Sequence, residues 1–240
     1  MEGCYENLHI WGENGSGAPA VSAAVDGKSE RGMLMKNGVW VLNHDTGFKN
    51  MKKDLVRRYG KKAAERIWEK AGSRWEALCR QYAHLPKEVK LHTDGNMFRN
   101  AAVYMAIKEE YPEDALDILE AGVEKEGKRV AKLLSVLLHI PGMKRVMLAV
   151  FAKMLDSFFG EDAGFRCTKH CISGEEVRFD INRCPYCKYL TEIGCPEIIR
   201  FSCEVDEWIY GNLPGLEFHR RGTLGTGAAQ CDFCLKRQKS

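Results

Sequence analysis

Apolar residues recur at three- and four-residue steps from about residue 50 to residue 159, and the pattern then changes to alternation. Leu55, Tyr59, Ala63, Ile67, Ala71, Trp75, Leu78 and Tyr82 trace one stripe, which predicts a long amphipathic helix that Pro86 ends. The same periodicity predicts helices over Met97–Glu110, Glu113–Glu126, Val130–Leu138 and Met143–Phe159. Aromatic and methionine positions on these stripes read as core. Past Gly160 and Gly164 the texture is that of strands. Val177, Phe179 and Ile181 alternate with Arg178, Asp180 and Asn182, predicting strands over 165–171 and 176–182 joined at Ile172-Ser-Gly174. A short helix over 186–193, a second from Pro196 to Tyr210, and strands over 216–220 and 231–236 follow. Before residue 48 the chain is glycine-rich; its one extended-looking piece, Gly38-Val-Trp-Val-Leu42, reads as a strand.

Helices first and strands afterwards imply an α+β fold: an N-terminal helical part packed on a small, largely antiparallel C-terminal sheet that carries a Cys-rich site. The expected division is a glycine-rich arm over 1–47, a helical region over 48–160 and a Cys-rich α+β region over 161–240, with 48–240 one folded domain.

Composition narrows the function classes. Hydrophobic residues make up 45% of the 240 residues and charged residues 29%, as in ordinary globular proteins. A net charge of +3 with interleaved signs gives no footprint for nucleic acid, and Lys52 to Lys62 reads as a solvated helix face. No apolar run approaches the roughly 20 residues of a membrane span, and the first residues lack a secretory pattern. The expectation is a cytoplasmic protein with reduced thiols, a small-molecule partner, no nucleic-acid or membrane partner, and room for a homo-oligomer.

Chemistry concentrates in the last third, which holds eight of the ten cysteines. Cysteines this dense bridge, bind metal or react. Cys184-Pro-Tyr-Cys187 and Cys231-Asp-Phe-Cys234 have the spacing of two metal knuckles, so Cys184, Cys187, Cys231 and Cys234 are candidate ligands for zinc or, alternatively, an iron–sulfur cluster. The 43 residues between them exceed the roughly 15–20 of compact zinc modules. Cys203 and Asp206 lie one turn apart on a predicted helix, placing a carboxylate beside a thiol. Such a pair ligates metal or supplies a base to a nucleophile, and His219, Arg220 and Arg221 are cations able to lower the thiol pKa. Gly222-Thr-Leu-Gly-Thr-Gly227 is either a strand connection or a turn whose N–H groups approach an anionic ligand beside Arg220. No nucleophile elbow, His-Glu-x-x-His or dinucleotide fingerprint occurs, and the scattered histidines read as structural or surface groups.

The motifs Phe179-x-x-x-x-Cys184-Pro-Tyr186, Gly194-x-Pro196-Glu197, Cys203-x-x-Asp206 and Arg220-x-x-Thr223-Leu224-x-x-Gly227-x-x-x-Cys231-Asp232-Phe233 resemble the L-2-amino-thiazoline-4-carboxylic acid hydrolase family. That resemblance implies a hydrolase that opens a small anionic cyclic amidine, in the name-giving case to a carbamoyl derivative of cysteine. Water would attack the ring carbon between N and S, with a group to protonate the leaving nitrogen and a cation to hold the substrate carboxylate. It implies Cys203, Asp206 and Cys231 as the reacting or metal-binding cluster, with Arg220, Thr223 and His219 on the substrate. Cys187, Cys195 and Cys234 stand outside the family pattern. They keep a metal-binding sensor, scaffold or redox protein in view as the alternative function.

Overall fold

The structure, a computed structural model, describes residues 37–238. Residues 1–36 of the expected arm, with Cys4, lie outside the described residues. Helix α1 covers Gly38–His44 and α2 covers Thr46–Gln81. Next come α3 (Lys87–His92), a π-helical turn at Thr93–Met97, α4 (Phe98–Glu110), α5 (Ala115–Leu138) and α6 (Met143–Phe159). Strands β1 (Arg166–Ile172) and β2 (Glu176–Arg183), helices α7 (Pro185–Glu192) and α8 (Ile199–Tyr210), and strands β3 (Leu216–His219) and β4 (Cys231–Arg237) complete the chain. The four strands form one antiparallel sheet in the order β1-β2-β4-β3. The α+β expectation holds.

Two local expectations change and one unassigned segment gains structure, each for a tertiary reason. Gly38–Leu42 is helical rather than extended. Asn37 caps it by accepting the Val39 N–H at 2.8 Å, and Leu42 turns fully into the core. The helix sits backbone-to-backbone on α2: a Cβ on Gly38 would lie 2.2 Å from the Gly72 carbonyl oxygen. The two helices expected over 113–138 are one. Gly127, which reads as a break, is inside α5, where a Cβ would lie 3.0 Å from Trp208 Cβ of α8. The segment 87–96, for which the sequence predicts no element, forms α3 and most of the π turn, with the Asp94 carbonyl accepting from the Trp75 indole at 3.0 Å. The long stripe is otherwise as expected, with a kink at Gly60, whose φ of 81° suits glycine.

Two cores form. The first joins α1–α5 to α7 and the start of α8, around the fully buried Trp68, Phe98 and Ile67. The second lies between α6 and one face of the sheet, where Phe179 and Phe233 stack at 4.9 Å across the β2–β4 pair and Phe151 of α6 covers Phe233 at 5.5 Å. Helix α8 spans the seam. Its Ile199 and Phe201 belong to the first core, and Tyr210 packs on Phe233 of the second. Cys203 and Asp206 lie between those ends.

Candidate active site

Strand periodicity sorts the cysteines before any distance does. Side chains on β4 alternate, so Cys231, Phe233 and Leu235 face α6 while Asp232, Cys234 and Lys236 face the other way. Cys231 and Cys234 therefore stand on opposite faces of the sheet and do not form a knuckle. Cys234 instead lies against Glu176 at 3.8 Å, above a hollow of about 820 Å³ shared with His170, Arg178 and His219. Cys187 packs against the first core and Cys195 is buried within it. Among the described residues no group of three or more His, Cys, Asp or Glu side chains is arranged to hold a metal. The expected four-cysteine ligand set is thus not assembled.

What does come together is the subset Cys184, Cys203, Cys231 and Asp206. Cys184 occupies the position before the first turn of α7, with Pro185 opening the helix. It is near enough for its charge to raise the pKa of Cys167, Cys203 and Cys231. On α8, Cys203 and Asp206 are one turn apart, as their spacing requires. Asp206 accepts from Arg220 Nη1 at 2.9 Å, and Arg220 Nη2 donates to the Cys203 carbonyl at 2.7 Å. Arg220 also lies 3.4 Å from Glu207, and its side chain is only 7% exposed. The guanidinium thus ties the C-terminal end of β3 to the middle of α8.

The turn at 223–227 closes the site from above. Leu224 N–H donates to Cys231 Sγ at 3.2 Å, and the Thr223 hydroxyl lies within hydrogen-bonding reach of Cys203. Gly227, at φ 90°, ends the short 3₁₀ turn over Leu224–Thr226. The turn does bind a carboxylate, but it is the chain's own: Asp232 Oδ1 accepts the N–H groups of both Arg221 and Gly222 at 2.9 Å. That engagement keeps the Asp232 pKa low despite partial burial. His219 is separated from the site by strand alternation. It is exposed and 3.2 Å from Glu217 on the outer face, whereas Arg220 beside it turns inward.

Electrostatics divide the roles. Asp206 is recessed rather than sealed: a third of its side chain is open, yet protein surrounds it. Burial raises its pKa to about 6, with Arg220 acting in the opposite direction. Burial also pushes the Cys203 thiol up to about 11, partly offset by the Thr223 hydroxyl and Arg220. Cys231 is raised by burial and then by Cys184 and Cys203. At neutral pH both thiols hold their protons, while Asp206 is poised to exchange one.

Two aromatic hydroxyls and one histidine escaped the sequence reading as site residues. Tyr186 and Tyr210 feel the charge of Asp206, and Tyr186 also that of Cys184 and Cys203; burial raises both phenols. His92 is buried and its pKa is lowered by burial. Its Nε2 faces the Phe158 carbonyl at 2.8 Å, which only accepts, so Nε2 carries the proton. Nδ1 then accepts the Tyr186 hydroxyl at 3.3 Å. The signal for Tyr186 was its place in the Cys-Pro-Tyr motif. His92, 94 residues away from its partner, offered none.

Residues 91–235 match the family model described as L-2-amino-thiazoline-4-carboxylic acid hydrolase. The chain belongs to that family. The matched span begins at Leu91, so it takes in His92 as well as the cysteine motifs. No curated protein and no solved structure matches the chain.

Gly225 packs directly against the Cys203 thiol. A Cβ there would lie 2.8 Å from Cys203 Sγ and 2.7 Å from Ile199 Cγ2. Gly225→Ala is expected to shift the turn off the thiol at a cost of about 1–3 kcal/mol. A urea midpoint and turnover both equal to the parent would refute this.

Proposed function

We propose that this protein hydrolyses a small anionic cyclic amidine such as 2-aminothiazoline-4-carboxylate, with Cys203 as nucleophile and Asp206 as its base. The observation that carries this reading is the pairing of a buried thiol with a carboxyl raised to about 6, one helical turn apart and oriented by Arg220. The Cys203 thiol, at about 11, lies far above neutral pH, so a preformed thiolate is disfavoured. The proton moves to Asp206 as the C–S bond forms.

The steps balance as follows. Cys203 sulfur adds to the amidine carbon while Asp206 takes the thiol proton. The adduct then expels a ring heteroatom. A ring thiolate, with an ordinary pKa of about 8.5, leaves far more readily than an amine nitrogen. Ring opening therefore breaks the C–S bond and leaves both nitrogens on carbon, in place of the leaving nitrogen expected earlier. Asp206, which now holds the thiol proton and is a far stronger acid than either cysteine, passes that proton to the departing sulfur and returns to its ionised form. Water, deprotonated by Asp206, then releases the carbamoyl product and restores the Cys203 thiol. Arg220 serves as a positioning residue in this scheme, because its donors are already engaged by Asp206, the Cys203 carbonyl and Glu207.

Cys203→Ala is expected to lower turnover of 2-aminothiazoline-4-carboxylate by at least about 10³-fold with the far-ultraviolet circular dichroism unchanged. Intact mass spectrometry of rapidly quenched parent protein should show a covalent adduct on Cys203. Unchanged turnover in a folded Cys203→Ala variant sinks the reading. Iodoacetamide labelling of Cys203 should be slow at neutral pH and accelerate steadily as pH rises toward 11; rapid labelling at neutral pH would show a thiolate and contradict the scheme.

A further inference from the structure

The α5–α6 hairpin carries surface that neither the fold nor the proposed chemistry uses. Of the eleven large hydrophobic side chains exposed among the described residues, seven lie on it. On α5 and the turn after it, Leu133, Val136, Leu137 and Ile140 fall at helical spacing, and Val136 is 67% exposed. On α6, Val146, Val150 and Met154 recur every fourth residue on the side away from the core residues Leu148 and Leu155. The turn between the helices, from His139 to Gly142, is itself exposed. Scattered exposed apolar residues need no explanation, but a concentration on one hairpin does.

Charge identifies what such a surface meets. Residues 127–155 contain no Asp or Glu and six basic residues: Lys128, Arg129, Lys132, Lys144, Arg145 and Lys153. Lys128, Arg129 and Arg145 pair with Glu124, Glu126 and Glu175. Lys132 and Lys153 have no ion pair among the described residues. Two copies meeting through residues 127–155 would bring the unpaired Lys132 and Lys153 of each together with no acid within that stretch to neutralise them. A basic rim around exposed aliphatic residues instead suits a lipid surface of negative charge, where each cation contributes about 1 kcal/mol near the headgroups.

We infer that the α5–α6 hairpin is a peripheral membrane-binding element that seats its aliphatic tip in the interface of an anionic bilayer. No helix of the described residues is long and apolar enough to cross a membrane, so the contact lies on the surface. This replaces the expectation of no membrane partner and stands independently of the hydrolase reading.

Flotation of the full chain with vesicles tests it. Binding is expected to equimolar phosphatidylcholine–phosphatidylglycerol vesicles, with little to pure phosphatidylcholine, and should weaken as salt rises. The double variant Val136→Asp, Val150→Asp should lose at least about tenfold in partitioning, and Lys132→Glu with Lys153→Glu should lose most of the salt-sensitive part. All four side chains are exposed, so the circular dichroism and urea midpoint should be unchanged. The inference is overturned if the parent fails to bind the anionic vesicles. It is equally overturned if the folded variants bind as the parent does, or if sedimentation shows a dimer that Val136→Asp, Val150→Asp disperses, since a second copy then covers the patch.

Discussion

Asp206→Asn is expected to reduce kcat/KM for 2-aminothiazoline-4-carboxylate by about 10²–10⁴-fold, the usual range for loss of a positioned base. The amide keeps the shape of the side chain and still accepts a hydrogen bond from Arg220, and Glu207 remains near the guanidinium at 3.4 Å. The fold should therefore survive, and the loss should appear in turnover. A base must be ionised to work, so parent activity should fall as pH drops through about 6. Arg220 holds that value below where burial alone would place it. Arg220→Gln should consequently move the acidic limb upward, the result that separates a positioning role from a merely structural one. The stability sign is the reverse of that for an ordinary salt-bridged Asp. Because the folded pKa lies above the usual carboxyl range, ionised Asp206 opposes folding above about pH 6, and this cost fades as pH falls toward the unfolded value of about 4. An acidic limb that does not move in Arg220→Gln, or an Asp206→Asn enzyme with parental kcat/KM, would remove Asp206 from the chemistry.

The largest effect on stability is expected at Phe179. This ring is 1% exposed, stacks on Phe233 at 4.9 Å, and touches Phe159 and Phe151 at centroid separations of 5.8 and 6.4 Å. It is the link between β2, β4 and α6. Phe179→Ala should cost about 3–5 kcal/mol, combining lost burial with the cavity that remains. Phe179→Leu, which keeps most of the volume, should cost less than half as much. Urea unfolding followed by tryptophan fluorescence measures both. Since β2 delivers Cys184 and β4 delivers Cys231, a folded Phe179→Leu protein should also lose turnover, through misplaced thiols. Equal midpoints for parent and Phe179→Ala would show that this cluster does not hold the sheet to α6.

Much of the fold was legible because periodicity reports which faces are buried. The Leu55–Tyr82 stripe and the alternation at Val177, Phe179 and Ile181 each declared its element and its inward face. The Met143–Phe159 helix was legible as an element, but its Val146, Val150 and Met154 row, Met154 being read as core, is exposed, and Leu148 and Leu155 are buried instead. Misreadings arose where glycine carried a tertiary meaning. Gly38 looked like the start of a strand and Gly127 fell at an expected helix boundary, yet each permits close approach of a second helix. For the site, Cys203 and Asp206 were legible because helical spacing alone puts them on one face.

The cysteine pattern shows the boundary most clearly. By itself the sequence determined the family motif, the α+β order and the Cys203–Asp206 pair, since all three depend on local spacing. Tertiary structure decided which thiols lie together. Strand alternation turned Cys234 away from Cys231, the β2–β4 register brought Cys231 toward Cys184, and Arg220 reached from the end of β3 to Asp206 on α8. It also decided that the glycine turn would hold Asp232 and cover two thiols. Contacts between residues distant along the chain set burial, and burial is what raises Asp206 to about 6 and keeps the thiols protonated.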